Sequence, residues 1–492
     1  MTMKTNKILY LFIGIGIFLM NSCTDLDKEK LGAMTQENFF KSESDAYQSL
    51  TAAYSDLKDY RFTWTFWAFG DILSDDATYS GSDDDVSAYA RMENYDYPAD
   101  NGRVLNRYVL CYRAINKANQ AIEGIEKMDN SLFSTYNKEQ LIAEALFIRA
   151  FAHHELVKCY GDVPLFTHTP TVADKGTTRT PKAQVYEQIE KDLEAAAKVL
   201  PKRSETNYTT YAGRITQGTA YALLSRVYLF EEKFDKAKEA AYEVIKSNEY
   251  KLVDDYGFQF TVEGEHCSES IFEITHYDSP NQSAATNNNG NFHVLMMLPF
   301  GTTYGYGINQ PLPALAAAYD EIGDTERKDA TLLTPEDLKE WEAPEDYTKL
   351  ERNRTGYYNQ KYYLPPTQRS KEIRNNQLNI KVIRLAEVYL NYAEACTRGA
   401  TKDEAEAKKY LKLLRDRAKL PPITSTGDAL VNDILKERRL ELAMEGFRFW
   451  DVIRFGKAPE LFKGFVKGRD EILPIPQDEI DKSNGSITQN PR

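Results

Sequence analysis

At 492 residues the chain is long enough for about three domains by length alone, or for one stack of repeats sharing a continuous core. Its 42% hydrophobic and 27% charged residues are an ordinary globular balance, while 32 tyrosines and 23 phenylalanines exceed what a plain helical scaffold needs. A formal net charge of −13 argues against a nucleic-acid partner, because that affinity rests on many Lys and Arg neutralising phosphates.

The chain opens with a short basic segment carrying Lys4 and Lys7, followed by the apolar run Ile8 to Met20 and then Asn21-Ser22-Cys23. This is the layout of an export signal over residues 1–22. As a helix the apolar run reaches roughly 20 Å against about 30 Å of hydrocarbon, so it is a signal and not a span. Losing it makes the mature chain more acidic by two charges. Cys23 directly after Ser22 is expected to be the acylated cysteine of a bacterial lipoprotein, although Met20 and Asn21 depart from the usual leucine and small residue. The competing reading is a soluble exported protein in which Cys23 is an ordinary thiol. Residues 23–38 read as acylated cysteine and polar, acidic tether, and 39–492 as one folded unit.

Helical spacing then dominates, as at Tyr108, Tyr112, Ile115 and Ile122, and again at Leu385, Tyr389, Tyr392 and Cys396. The spacing predicts a mainly α fold: a tetratricopeptide-like scaffold with helices over about 103–250 and 377–455, irregular insertions and few short strands. Asn137 with Gln140 approximates a capping box, and Thr180-Pro181 places a cap before a first-turn proline. Gln217 to Glu249 carries Tyr221, Leu224, Ser225, Tyr228 and Ala237 at tetratricopeptide offsets. Arg384 to Leu420 repeats that layout around Gly399, and Arg107 to Lys127 with Asn137 to Tyr160 makes a third, looser pair. Cys111, Cys159, Cys267 and Cys396 are too scattered for a disulfide framework and are expected to be free thiols.

Residues 64–102 and 255–375 fill with Gly, Pro, Asn, Asp and Tyr and are expected to form the loop-rich ligand face. A sugar ring presents C–H faces and hydroxyl rims, so a binding site needs exposed aromatic platforms flanked by polar side chains. The candidates are Trp67, Tyr79, Tyr89, Tyr304, Tyr306, Asn309 and Trp341, with Tyr79, Tyr89, Tyr304 and Tyr306 expected at the surface. Trp64 and Trp67 sit three apart on a helix, a spacing that fits core packing equally well.

No GxSxG, HExxH, GxGxxG or Walker lysine loop is present. The six histidines lack ligand spacing, and Asp83-Asp84-Asp85 lacks the pattern of a calcium loop and reads as a solvated acidic turn. No metal or cofactor is expected. Glu441 and Glu445 could be mistaken for a glycosidase pair. With Arg438 at i, i+3 and i+7 to them on one helix face, and Gly446 fitting the position after the helix end, ion pairing is the better reading.

Several ordered stretches carry a family resemblance: Tyr112-Arg-Ala-Ile-Asn-Lys-Ala-Asn119; Glu144 to Phe151 running into Leu156 to Leu165 with its Gly161-Asp-Val-Pro turn; Ile383 to Ala395; Glu437 to Gly456; and Leu473-Pro-Ile-Pro-Gln-Asp-Glu-Ile480. Together they resemble the SusD/RagB family of outer-membrane nutrient-binding lipoproteins. The resemblance implies a non-catalytic protein facing the cell exterior over a SusC-like TonB-dependent transporter, to which it delivers oligosaccharides or, less often, peptides. Its ligand residues lie outside its shared motifs, so none is carried over by position. A tetratricopeptide-type interaction adaptor is the alternative from another class, and an enzyme is the least supported.

Overall fold

The computed structural model describes residues 39–80, 83–207, 211–278, 289–299, 302, 305–342, 353–372 and 374–491. The export signal, Cys23, the tether and Tyr304 lie outside them.

Helices α1 (Glu43–Leu57), α2 (Tyr60–Gly70) and α3 (Asp83–Glu93) lead into the long pair α4 (Gly102–Glu126) and α5 (Lys138–Tyr160). Next come α6 (Lys182–Val199), α7 (Gln217–Phe230) and α8 (Phe234–Ser247). The irregular half carries α9 (Phe292–Met297), α10 (Pro313–Ile322), α11 (Thr325–Thr331) and α12 (Pro335–Trp341). The chain then returns to helix in α13 (Leu385–Arg398), α14 (Glu404–Arg417), α15 (Gly427–Glu441) and α16 (Arg448–Arg454).

The three helix pairs expected from spacing are present as α4/α5, α7/α8 and α13/α14. Small residues let them close: Ala220, Ala237, Ala241, Ala386 and Ala393 are buried in the core that α7, α8 and α13 share. Buried Arg226 of α7 forks onto Glu387 of α13, with Nε–Oε1 and Nη2–Oε2 both 2.7 Å. Asn137 caps α5 by accepting from the Gln140 N–H at 3.0 Å, and Gly161, at φ +69°, ends it.

Three local expectations differ. Thr180 does not cap α6; its backbone pairs with Val163, and the first N–H of the helix, on Lys182, donates to Asp162 Oδ1 at 2.8 Å. The Asp83 to Asp85 run opens α3 and is no turn. Helix α15 stops at Glu441 with Leu442 as its cap, and Met444, at a left-handed φ of 62°, and Gly446 lie in the turn that follows.

Strands are short and antiparallel. β1 (Ala77–Thr78) pairs with β3 (Gln310–Pro311), β2 (Ser270–Ile274) with β6 (Ile380–Arg384), and β4 (Leu332–Leu333) with β5 (Tyr358–Asn359). The β1–β3 register sets Thr78 opposite Gln310, so Tyr79 and Asn309 follow at the same end of that ladder. Cys111, Cys159 and Cys396 are buried thiols and Cys267 is half-buried; all four are free. Burial pushes the Cys159 thiol up to about 11 and leaves it unreactive.

Candidate functional site

Helix α2 sets the geometry of the loop-rich face. Tyr60, Trp64 and Trp67 fall on one stripe at i, i+4 and i+7, and burial deepens along it. Tyr60 is 38% exposed, Trp64 is half-buried and Trp67 is 2% exposed.

At the deep end, Trp67 Nε1 donates to His293 Nδ1 at 2.7 Å, so the imidazole proton sits on Nε2, which lies 2.5 Å from Thr63 Oγ1. Burial drives the His293 pKa down to about 3 and keeps the ring neutral. Trp67 is therefore core and presents no ring to solvent. Tyr89 is also interior, at 0% exposure, where a surface position was expected. Helix α3 turns it inward, parallel to Trp64 at 6.0 Å, with the Arg103 guanidinium 4.7 Å from its ring centre. Asn309 is fully buried, in left-handed backbone at φ 59°. Its side-chain amide donates to Asp71 Oδ2 at 3.1 Å, and the Gly446 N–H donates to Asp71 Oδ1 at 2.9 Å. Burial raises the Asp71 carboxyl to about 7 against those two bonds. All three residues lie beneath the surface of this face.

At the shallow end the structure builds a platform. The Tyr60 ring meets Phe292, the first residue of α9, edge-on with centroids 4.9 Å apart. Phe292 in turn meets Tyr306 at 6.5 Å. Phe292 and Tyr306 are half-buried, and exposed Arg374 places its guanidinium 5.2 Å from the Phe292 ring. The result is a run of aromatic surface with a planar cation at its rim.

Tyr79 is half-buried, with the exposed Arg354 guanidinium 4.8 Å from its ring. Burial lifts the neighbouring Glu93 carboxyl, against a hydrogen bond from Thr78 and the charge of Arg354. Trp341, 41% exposed, belongs to another cluster and tilts against Tyr363 at 5.5 Å. There Glu342 accepts from the Tyr363 hydroxyl at 2.8 Å and pairs with Arg369.

Of the described tyrosines expected at the surface, Tyr79 and Tyr306 are thus partly in solvent and Tyr89 is not, while Tyr60, Phe292, Arg374 and Arg354 were not among the candidates. Tyr60 had a signal, since it extends the Trp64/Trp67 stripe by one turn toward the helix start. Arg374 and Arg354 had none.

Glu441 and Glu445 are buried in an ion network and share no cleft. Arg384 donates to Glu441 Oε1 at 2.6 Å and to Glu445 Oε2 at 2.8 Å. Arg417, Arg327 and Lys361 pair with the same two carboxylates. A partly open cavity of about 50 Å³ beneath α2, lined by Trp67, His293, Arg226, Arg438 and Glu445 but not Glu441, has room for water and not for a sugar ring. Among the described residues no cluster of His, Cys, Asp and Glu could hold a metal ion, and no helix is long and apolar enough to cross a membrane.

Residues 247–492 match the family model described as SusD family, and residues 26–229 match one described as starch-binding associating with outer membrane. The chain is 27% identical to SusD-like protein P2 of Formosa agariphila, over 99% of its own length and 100% of that protein. Among solved structures it is similar to a laminarin binding SusD-like protein, with 30% identity, a TM-score of 0.79, and coverage of 92% of this chain and 100% of that one. Surface glycan-binding protein A from Bacteroides thetaiotaomicron, in complex with laminarihexaose, is 26% identical with a TM-score of 0.79 and the same coverage. Matches to both halves, together with a shared architecture over nine-tenths of the length, lead to one conclusion: the chain belongs to the SusD family.

Proposed function

We propose that this protein is a non-catalytic glycan-binding lipoprotein of the outer-membrane surface, anchored through acylated Cys23. It captures oligosaccharides on its loop-rich face and hands them to a SusC-like TonB-dependent transporter. The observation that carries this reading is the platform of Tyr60, Phe292 and Tyr306 with Arg374 at its rim. Aromatic faces suit the C–H surfaces of a sugar and a guanidinium suits its hydroxyls. Tyr79 with Arg354, and Trp341 with its neighbours, offer further aromatic contacts. Similarity to proteins described as binding laminarin and laminarihexaose makes β-glucans the first ligands to try. Catalysis is not part of the reading, since Glu441 and Glu445 are consumed in ion pairs. A partner fixed in the same membrane raises effective concentration to roughly millimolar, so modest single-site affinity suffices for transfer.

The test is calorimetry of the mature chain with laminarin, laminarihexaose, starch and other polysaccharides, with peptides alongside. Binding of one glycan class with no release of reducing sugar is the expected result. Silence toward glycans with a response to peptides would move the assignment to peptide import. Incorporation of a palmitate analogue, lost in Cys23→Ala, tests the anchor.

A further inference from the structure

Beside the platform lies a groove of about 340 Å³ between α1 and the end of β2, a volume within the roughly 300–1,000 Å³ of ligand clefts. Thr51 and Ser55 of α1 and Lys58, the residue that caps its C-terminus, line it at i, i+4 and i+7, about 10 Å of chain. Across from them stands Tyr277, 49% exposed, with the Lys58 ammonium 5.2 Å from its ring centre.

Both walls of the groove lead along the chain to the platform. Lys58 lies two residues before Tyr60. The Tyr277 N–H donates to the Asn289 carbonyl at 3.0 Å, three residues before Phe292.

The groove also has the polarity of a sugar site. Thr51 Oγ1 and Ser55 Oγ each donate to a carbonyl of their own helix at 2.8 Å, so both turn lone pairs outward as acceptors. Lys58 supplies a donor and Tyr277 an aromatic surface. The floor is fixed: buried Glu144 accepts from the Tyr54 hydroxyl at 2.5 Å and the Tyr211 hydroxyl at 3.2 Å, and it pairs with Arg214.

We infer that this groove is a second sugar-binding stretch, which receives the part of a glycan chain running past the platform and makes the protein favour longer chains over shorter ones. The inference rests on the glycan-binding reading above.

Calorimetry of the mature chain with laminaritriose and laminarihexaose decides it. Tyr277→Ala is expected to weaken laminarihexaose about fivefold and leave laminaritriose unchanged, the loss of one aromatic contact. A Thr51→Val, Ser55→Ala double variant removes acceptors from an exposed helix face and should act in the same length-dependent way. Tyr60→Ala should weaken both sugars. If Tyr277→Ala leaves laminarihexaose binding intact, or weakens both sugars equally, the inference is overturned while a Tyr60→Ala effect keeps the platform standing. If neither sugar binds, the inference fails, and only silence from every glycan in the wider panel removes the platform reading as well.

Discussion

Replacing Glu441 with Gln separates the structural from the catalytic reading of the acidic pair. Glu441 is fully buried and accepts from Arg384 at 2.6 Å, Arg417 at 2.5 Å and Arg327 at 3.1 Å. Burial pushes its carboxyl up, but Arg417, Arg384 and Arg327 overcome this and hold it well below the usual carboxylate range. The substitution keeps the shape, removes the charge, and turns an amide NH₂ toward one of the arginines. Breaking a buried pair costs roughly 3–5 kcal/mol. Arg327 keeps Asp324 and Glu437, Arg384 keeps Glu269 and Glu445, and Arg417 keeps Glu269, so the lower end, about 3 kcal/mol at pH 7, is expected. The sign with pH follows from the depressed folded value. The carboxylate stabilises the fold above about 4.5 and that contribution fades as pH falls below it, so the gap between wild type and variant should narrow in acid. Urea unfolding followed by tryptophan fluorescence at pH 7 and pH 4 measures both. A loss under about 1 kcal/mol at pH 7, or a gap that stays constant on acidification, would refute the reasoning. Glycan hydrolysis by the wild type that disappears in the variant would restore the catalytic reading.

Tyr60→Ala and Tyr306→Ala should each weaken glycan binding about two- to tenfold by calorimetry, with the melting temperature unmoved for exposed Tyr60 and slightly lowered for Tyr306, whose half-buried ring also packs on the core; unchanged affinity in both would relocate the site. Trp67→Phe strips the donor from His293 Nδ1 and should lower stability by roughly 1–3 kcal/mol in chemical denaturation, an effect that a full-strength variant would contradict. Gly70→Ala should destabilise by at least about 1–3 kcal/mol, because its Cβ would lie 2.0 Å from the Gly446 carbonyl oxygen with backbone on both sides; a wild-type thermal transition would show that the two segments can part.

The helical scaffold was legible because its information is local. Tyr221, Leu224 and Tyr228 repeat at the helical period, and the turn between α7 and α8 falls between two such runs. Helix ends were less legible where the cap comes from elsewhere. Thr180-Pro181 looks like a start, yet Asp162, twenty residues upstream, takes the N–H of Lys182. Tyr89 misled for a related reason. Its Ser, Asp and Ala neighbours imply exposure, but burial is decided by Trp64 and Arg103, which no window around residue 89 contains.

The platform was only partly legible because it is made by two chain segments far apart in sequence, and one buried contact sets their spacing. Trp67 and His293 join α2 to α9 in the core, and Tyr60 and Phe292 lie at the outer ends of the same two helices. His293 follows Phe292 directly, so its hydrogen bonds to Trp67 and Thr63 fix where α9 begins relative to α2. Trp67 therefore acts on the proposed ligand face as a positioning residue although it touches nothing outside the core. Asp71 does the same one turn further along, since Asn309 and the Gly446 N–H both depend on it and Tyr306 stands three residues before Asn309. Two of the candidate residues that prove buried, Trp67 and Asn309, are thus ones that hold the solvent-reaching residues in place. A sequence scan for aromatic and amide side chains finds both kinds together, because it registers composition, and only the packing separates ligand contact from support.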